Sequence, residues 1–228
     1  MGFQFPNLTA FLSLMPPDRM SLIINSIPPS ELGDYLRRPN VVDNNAQLCM
    51  LFNSYSQTPQ FLETESLPEA VRRSILPCVW PMALSSTQTL EVNAWFDQRL
   101  KNYLPFLTKS LISSSVINST SCLAFQKLVS VLGVHNYTTA DFVRVDVYNT
   151  IRTYLYVGSS KSFKHARVKD QINSSSSLIS VGTLIIGVPS RVFLSISGNQ
   201  LISASQTPSL VANLLSGPQI IQQVFVSQ

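Results

Sequence analysis

Apolar residues recur three and four positions apart in short bursts along the first third of the chain. Leu8, Phe11 and Leu12 are followed by Met20, Ile23 and Ile24, then by Leu32, Tyr35 and Leu36, with proline pairs at 16–17 and 28–29 between the bursts. This spacing predicts three short amphipathic helices over about 8–15, 18–26 and 30–37, none long enough to be stable without a neighbour covering its apolar stripe. A longer helix is predicted over 43–55, carrying Ala46, Leu48, Cys49, Met50, Leu51 and Phe52. From 68 to 85 the pattern of Val71, Ile75, Leu76, Val79, Trp80 and Leu84 is helical, but Pro77 and Pro81 predict a kinked pair. The clearest amphipathic stretch runs from 90 to 112, with a bend expected just before Pro105.

Two further helices carry end signals. One is predicted over 121–132, with Thr120 as N-cap, Cys122, Phe125, Leu128, Val129 and Leu132 inward, and Gly133 as its stop. The other is predicted over 140–157, capped by Thr138 or Thr139, with Phe142, Val145, Tyr148, Ile151 and Leu155 as its stripe and Gly158 as its stop.

Five prolines open the same small unit, Pro, then Ser, Asp or Glu, then any residue, then an apolar one: Pro17, Pro29, Pro68, Pro189 and Pro208. Chance gives roughly one. Proline suits the first turn of a helix, where its missing N–H would be unpaired, and a short oxygen-bearing side chain beside it can cap the remaining donors. The chain thus restarts short helices again and again. The fold class expected is all-α, with short helices stacked into a solenoid-like, superhelical (armadillo-like) repeat array over 1–158. A basic, serine-rich linker at 159–177 and a low-charge C-terminal segment at 178–228 follow. In that segment the runs Ile185-Ile186 and Val224-Phe225-Val226 would also suit strands, yet Pro189-Ser190 and Pro208-Ser209 favour two more helical turns.

Charged residues make up only 12% of the 228, about half the usual share, so neutral Ser, Thr, Asn and Gln must solvate the surface. That balance is common on secreted surfaces. The net charge of +4 reflects few acids more than many bases. The one dense basic cluster, Lys161, Lys164, His165, Arg167 and Lys169, reads as a solvated linker, and without a broad basic stripe or an RNA- or DNA-binding motif no nucleic-acid partner is expected. The longest apolar run, 178–188, is about half of what spans a bilayer. No secretory leader is visible in the chain, so membrane association is expected only through parts not present in it.

Candidate chemistry is sparse. Cys49, Cys78 and Cys122 form neither a CxxC pair nor a zinc spacing with His135 or His165; they are disulfide candidates, with buried thiols as the alternative. Neither metal nor cofactor is expected. Four Asn-x-Ser/Thr tripeptides, at Asn7, Asn118, Asn136 and Asn173, fall at predicted helix ends or linkers and are glycosylation candidates if the chain enters the secretory route. His135 and His165 lie in no nucleophile motif, Glu63 and Glu65 share a turn, and Asp141 and Asp146 share a helix, so no catalytic residue is assigned and the chain is not expected to be an enzyme. The aromatic set Trp80, Trp95, Phe96, Tyr103 and Phe106 is expected in the core.

The stretch from about Leu48 to Leu155 contains Pro68-Glu69-Ala70-Val71-Arg72-Arg73-Ser74-Ile75-Leu76-Pro77, Trp95-Phe96-Asp97-Gln98-Arg99-Leu100, Tyr103-Leu104-Pro105-Phe106-Leu107 and Ser121-Cys122-Leu123-Ala124-Phe125. It resembles large vertebrate surface proteins related to mesothelin, stereocilin and otoancorin, and the turns at Met15-Pro16-Pro17-Asp18 and Ile27-Pro28-Pro29-Ser30-Glu31-Leu32 resemble that family's short-helix repeats. The resemblance implies an extracellular or cell-surface glycoprotein. Such a protein would hold a protein, glycan or matrix partner on a broad face, in adhesion or cell–matrix attachment. The alternative expectation is an intracellular helical-repeat scaffold for protein–protein interaction.

Overall fold

The computed structural model describes residues 6–117, 120–137, 142–151, 197–216 and 219–227, and among them every regular element is a helix. The all-α expectation holds. The chain divides into two compact units, Met1–Leu107 and Thr108–Gln228. The expected boundaries at 158/159 and 177/178, the basic linker and the Pro189 unit lie outside the described residues.

The first unit contains α1 (Leu8–Ser13), α2 (Met20–Ser26), α3 (Pro29–Leu36), α4 (Asn45–Ser54), α5 (Thr58–Thr64), α6 (Glu69–Ser85) and α7 (Thr89–Asn93). Local chemistry sets most of the starts. Asn7 caps α1 by accepting the Ala10 N–H at 2.9 Å, and Asn44 caps α4 by accepting those of Ala46 and Gln47. Pro29 is the first residue of α3, Pro59 sits in the first turn of α5, and Pro68 immediately precedes α6. The capping role expected of the neighbouring Ser or Glu is not realised, for no side chain bonds the cap positions of α3 or α6. Proline removes one free donor there, and Glu31 or Glu69 in the first turn complements the positive end of the helix. Pro17 lies in the turn before α2, not in the helix.

Two expectations are corrected. α6 is one continuous helix through Pro77 and Pro81 where a kinked pair is expected. Spaced four apart, both prolines lie on its exposed face, where water can serve the carbonyls that lose their donors, while Ile75, Leu76, Val79, Trp80, Ala83 and Leu84 are buried on the other. The predicted helix over 90–112 instead ends at Leu100: α7 runs into a single π turn, Ala94–Arg99, closed by the Leu100 N–H on the Trp95 carbonyl at 2.8 Å, and 3₁₀ turns follow at Leu104–Phe106 and Lys109–Ile112. The wider turn lets the adjacent rings of Trp95 and Phe96 both point inward, at 4% and 1% exposure. α5 was not anticipated, because Pro59 and a run of polar residues mask its three buried positions, Thr58, Phe61 and Leu62.

Helices of this unit touch elements two or three places on: α2 with α4, α4 with α6 and α3 with α5, and likewise α1 with α4 and α5 with the π turn. The core follows the same step. Ile24, Phe52 and Trp80, each 28 residues from the next, are all buried.

The second unit contains α8 (Ser114–Ile117), α9 (Cys122–Val134), α10 (144–151), α11 (Gly198–Ser205), α12 (Pro208–Leu215) and α13 (Gln219–Val226). Ser121, not Thr120, caps α9 by accepting the Ala124 N–H at 3.1 Å, and Gly133 lies within the last turn. α10 starts at 144, later than predicted, so Val147 and Tyr148 turn inward and Val145 stays 52% exposed. The predicted caps Thr138 and Thr139 and the end at Gly158 lie outside the described residues. Pro208 opens α12 as its unit predicts, and Val224-Phe225-Val226 is helical.

Candidate functional site

The polar chemistry of the first unit is gathered where successive helices meet. Asn25 on α2 donates from Nδ2 to the Ser54 carbonyl at 3.0 Å and accepts, on Oδ1, the N–H and hydroxyl of Ser56, while its own carbonyl accepts from Gln57. Tyr55 donates its hydroxyl to the Ile27 carbonyl at 2.7 Å, and Tyr35 donates to the Pro6 carbonyl at 3.0 Å. Burial raises both phenols, with Asp43 adding to Tyr35, which reaches about 12, and Glu65 adding to Tyr55. At α1, the Leu8 N–H binds the Val41 carbonyl and the Thr9 N–H binds Asp43.

Arginines make the remaining links. Arg37 at the end of α3 pairs with Asp34 and Glu65 and donates from Nε to the Ser66 carbonyl at 2.9 Å. A Cβ at position 33 would meet the Glu65 carboxylate and push it aside, so Gly33 leaves room for the Glu65–Arg37 pair as it stands. Arg99, whose side chain is only 11% exposed, donates to Glu63 at 2.8 Å and pairs with Glu91, its guanidinium 4.9 Å from the Trp95 ring centroid. Burial alone would depress this guanidinium, but the bonds to Glu91 and Glu63 outweigh it and hold its pKa above the ordinary value. Arg72 donates to the Leu67 and Asn102 carbonyls, and with Arg73 it flanks the Phe106 ring.

A disulfide joins Cys49 on α4 to Cys78 on α6, 29 positions apart. The two cysteines are thus brought together from the three candidates, while Cys122 stands at the start of α9 in the other unit. Several links between helices of this unit span similar sequence separations: 28 for Tyr55 to Ile27, 29 for Asn25 to Ser54, Arg37 to Ser66 and the disulfide, 30 for Arg72 to Asn102, with 31 and 32 for Asn25 to Ser56 and Gln57 and 34 for Thr9 to Asp43. Arg99 to Glu63 spans 36.

Glu63 and Glu65, considered as a carboxylate pair, are each held by a different arginine, and Asp146 pairs with Lys109 at 2.9 Å. This chemistry fixes helices. Asp141, His165 and the other residues of the basic cluster lie outside the described residues, and among those described no group of three His, Cys, Asp or Glu side chains could hold a metal. Of the aromatic set, Trp80, Trp95, Phe96 and Tyr103 are buried; Phe106 is half-buried between its arginines. Burial pushes the Tyr103 phenol to about 12, slightly opposed by Arg72.

In the second unit, His135 is not the surface residue its loop position suggests. Its ring meets those of Tyr137 at 5.0 Å and Phe142 at 5.5 Å, Tyr137 donates its hydroxyl to the Leu132 carbonyl, and Arg144 stacks over Tyr137. Burial, then the Arg144 charge, lowers the His135 pKa. Asn7 and Asn136 are exposed, whereas Asn118 and Asn173 lie outside the described residues. No helix among those described is long and apolar enough to cross a membrane.

Sequence reasoning missed the arginine clamps and the pairing of Cys49 with Cys78. The signal was present: writing the first hundred residues in rows of about 29 stacks Cys49 over Cys78 and places Arg37 beside Glu65. Comparison of the chain with protein-family models, with curated proteins and with solved structures finds no match.

Proposed function

We propose that this chain is a non-enzymatic, extracellular or cell-surface glycoprotein of the mesothelin, stereocilin and otoancorin kind, whose helical-repeat array holds a protein, glycan or matrix partner on a broad face in adhesion or matrix attachment. The observation that carries the reading is the Cys49–Cys78 disulfide, which ties α4 to α6 across 29 residues. Disulfides persist in oxidising compartments and are rare in the cytosol, which weighs against the intracellular scaffold. Each helix pair meets the next through arginine–carboxylate clamps and backbone-directed bonds, and this suits the solenoid-like stacking expected of such arrays. Extended arrays bind through their surface more than through a pocket. Among the described residues, Glu63 and Glu65 are engaged by Arg99 and Arg37, and His135 packs on Tyr137 and Phe142.

The test is expression of the full chain behind a secretory leader and, in parallel, in a reducing cytosol, with peptide mapping under non-reducing conditions. Secreted protein with Cys49 linked to Cys78, and binding of the immobilised chain to cells or matrix glycoproteins, is the expected result. A cytosolic chain that is equally stable with reduced thiols, together with a secreted form that is retained and misfolded, would favour the intracellular scaffold.

A further inference from the structure

Just after α9, Asn136 is presented in a manner that Asn7, the other described acceptor asparagine, is not. α9 ends at Val134, and His135 takes up an extended conformation, φ −63° and ψ 141°. In extended backbone successive side chains point to opposite sides. The side chains on either side of Asn136 are both anchored inward: His135 and Tyr137 pack edge to face, both contact Phe142, Tyr137 is tied to the Leu132 carbonyl at 2.7 Å, and Arg144 lies 4.9 Å over the Tyr137 ring. Asn136, between them, is exposed. Its carboxamide nitrogen thus points into solvent from a fixed, non-helical backbone, and half-exposed rings beside it offer an apolar ledge for the face of a first sugar.

Asn7 is the internal contrast. Its side-chain oxygen is committed to the Ala10 N–H at the start of α1, and Thr9 of the same tripeptide bonds to Asp43 through its N–H and its side chain. In the folded protein that tripeptide is built into α1.

We propose that Asn136, just after α9, carries an N-linked glycan: a lipid-linked oligosaccharide diphosphate is the donor, C1 of its N-acetylglucosamine bonds to Nδ2 as the C1–O bond to the diphosphate breaks, and one Nδ2 proton leaves with the lipid diphosphate. The inference rests on the extracellular reading, because only a chain that passes through the secretory lumen meets the glycosylating machinery. The experiment expresses the full chain behind a secretory leader, releases glycans with an amidase in heavy-oxygen water, and maps the Asn136 peptide by mass spectrometry beside a thiol map. A heavy-labelled aspartate at position 136, and loss of one glycan's mass in N136Q with unchanged helical signal and an intact Cys49–Cys78 bond, is the expected outcome. Secreted, disulfide-linked protein with unmodified Asn136 overturns the glycan while leaving the extracellular reading in place. A chain retained with reduced cysteines overturns both.

Discussion

The two units solve the problem of short helices differently. Up to Leu107, each helix is fastened to one about 29 residues away by a side chain that reaches across: Asn25, Tyr55, Arg37 and Arg99, with Cys49–Cys78 as the covalent member of the series. In the last three helices of the second unit the buried positions are apolar: Leu201, Ala204, Leu210 and Leu214. α11 packs on α12 and α12 on α13, each its neighbour in sequence, and residues 197–228 contain no ionisable side chain. Lys109 pairs with Asp146 in this unit. Charge divides the same way, seven basic against nine acidic residues through Leu107 and nine against three after it. Non-local links demand specific geometry and return a defined register, whereas purely apolar contact between sequence neighbours fixes register weakly.

Both tryptophans, Trp80 and Trp95, lie in the first unit, so their fluorescence reports that unit while circular dichroism reports all helices. This makes the comparison measurable. The largest effect is expected from Trp95→Ala, which empties a core site 4% exposed and removes the ring under Arg99; about 3–5 kcal/mol should be lost in denaturant titration followed by the remaining tryptophan. A loss below about 0.5 kcal/mol would place Trp95 outside the cooperative core.

Next is the disulfide. Replacing Cys49 and Cys78 together with Ala frees a loop of about 30 residues in the unfolded chain, worth about 3.5 kcal/mol by chain entropy. The fluorescence transition should move by that amount, and added reductant should reproduce the shift in the parent chain but not in the variant. If reductant shifts both alike, the covalent link is not what distinguishes the first unit.

Asn25→Ala removes the hub between α2 and the α4–α5 turn and leaves the Ser54 carbonyl and Ser56 N–H without their partner. A loss of roughly 1–2 kcal/mol is expected, seen in the fluorescence transition. An effect confined to the dichroism signal, with fluorescence unmoved, would break the link between register bonds and the stability of the first unit.

The smallest effect concerns acid and the second unit. The His135 pKa is lowered by burial and Arg144, so the folded state favours the neutral ring; its contribution is present above the unfolded value near 6.5 and is lost as pH falls through the folded pKa. Melting monitored by dichroism should therefore weaken below about pH 6.5 more in the parent chain than in His135→Gln. Identical pH profiles would show that the Tyr137–Phe142 cluster does not sense the imidazole charge.

Helix content was legible in the amino-acid pattern because the spacing of Leu8, Phe11 and Leu12, or of Leu32, Tyr35 and Leu36, is a local property, and so is the conformation proline imposes at the starts of α3 and α12. The end of the 90–112 stretch at Leu100 was not legible, since helical spacing continues through Tyr103 and Leu107 even though the backbone turns there. Nor was the continuity of α6, which depends on Pro77 and Pro81 both facing water. The sequence by itself determined that this is a chain of brief amphipathic helices, because apolar periodicity and proline act within one or two turns. Only the tertiary structure decided which helix lies on which, that Cys49 meets Cys78, and that Glu63 and Glu65 belong to different arginines, because partners some 29 residues apart are chosen by packing of whole helices and leave no mark on the local pattern.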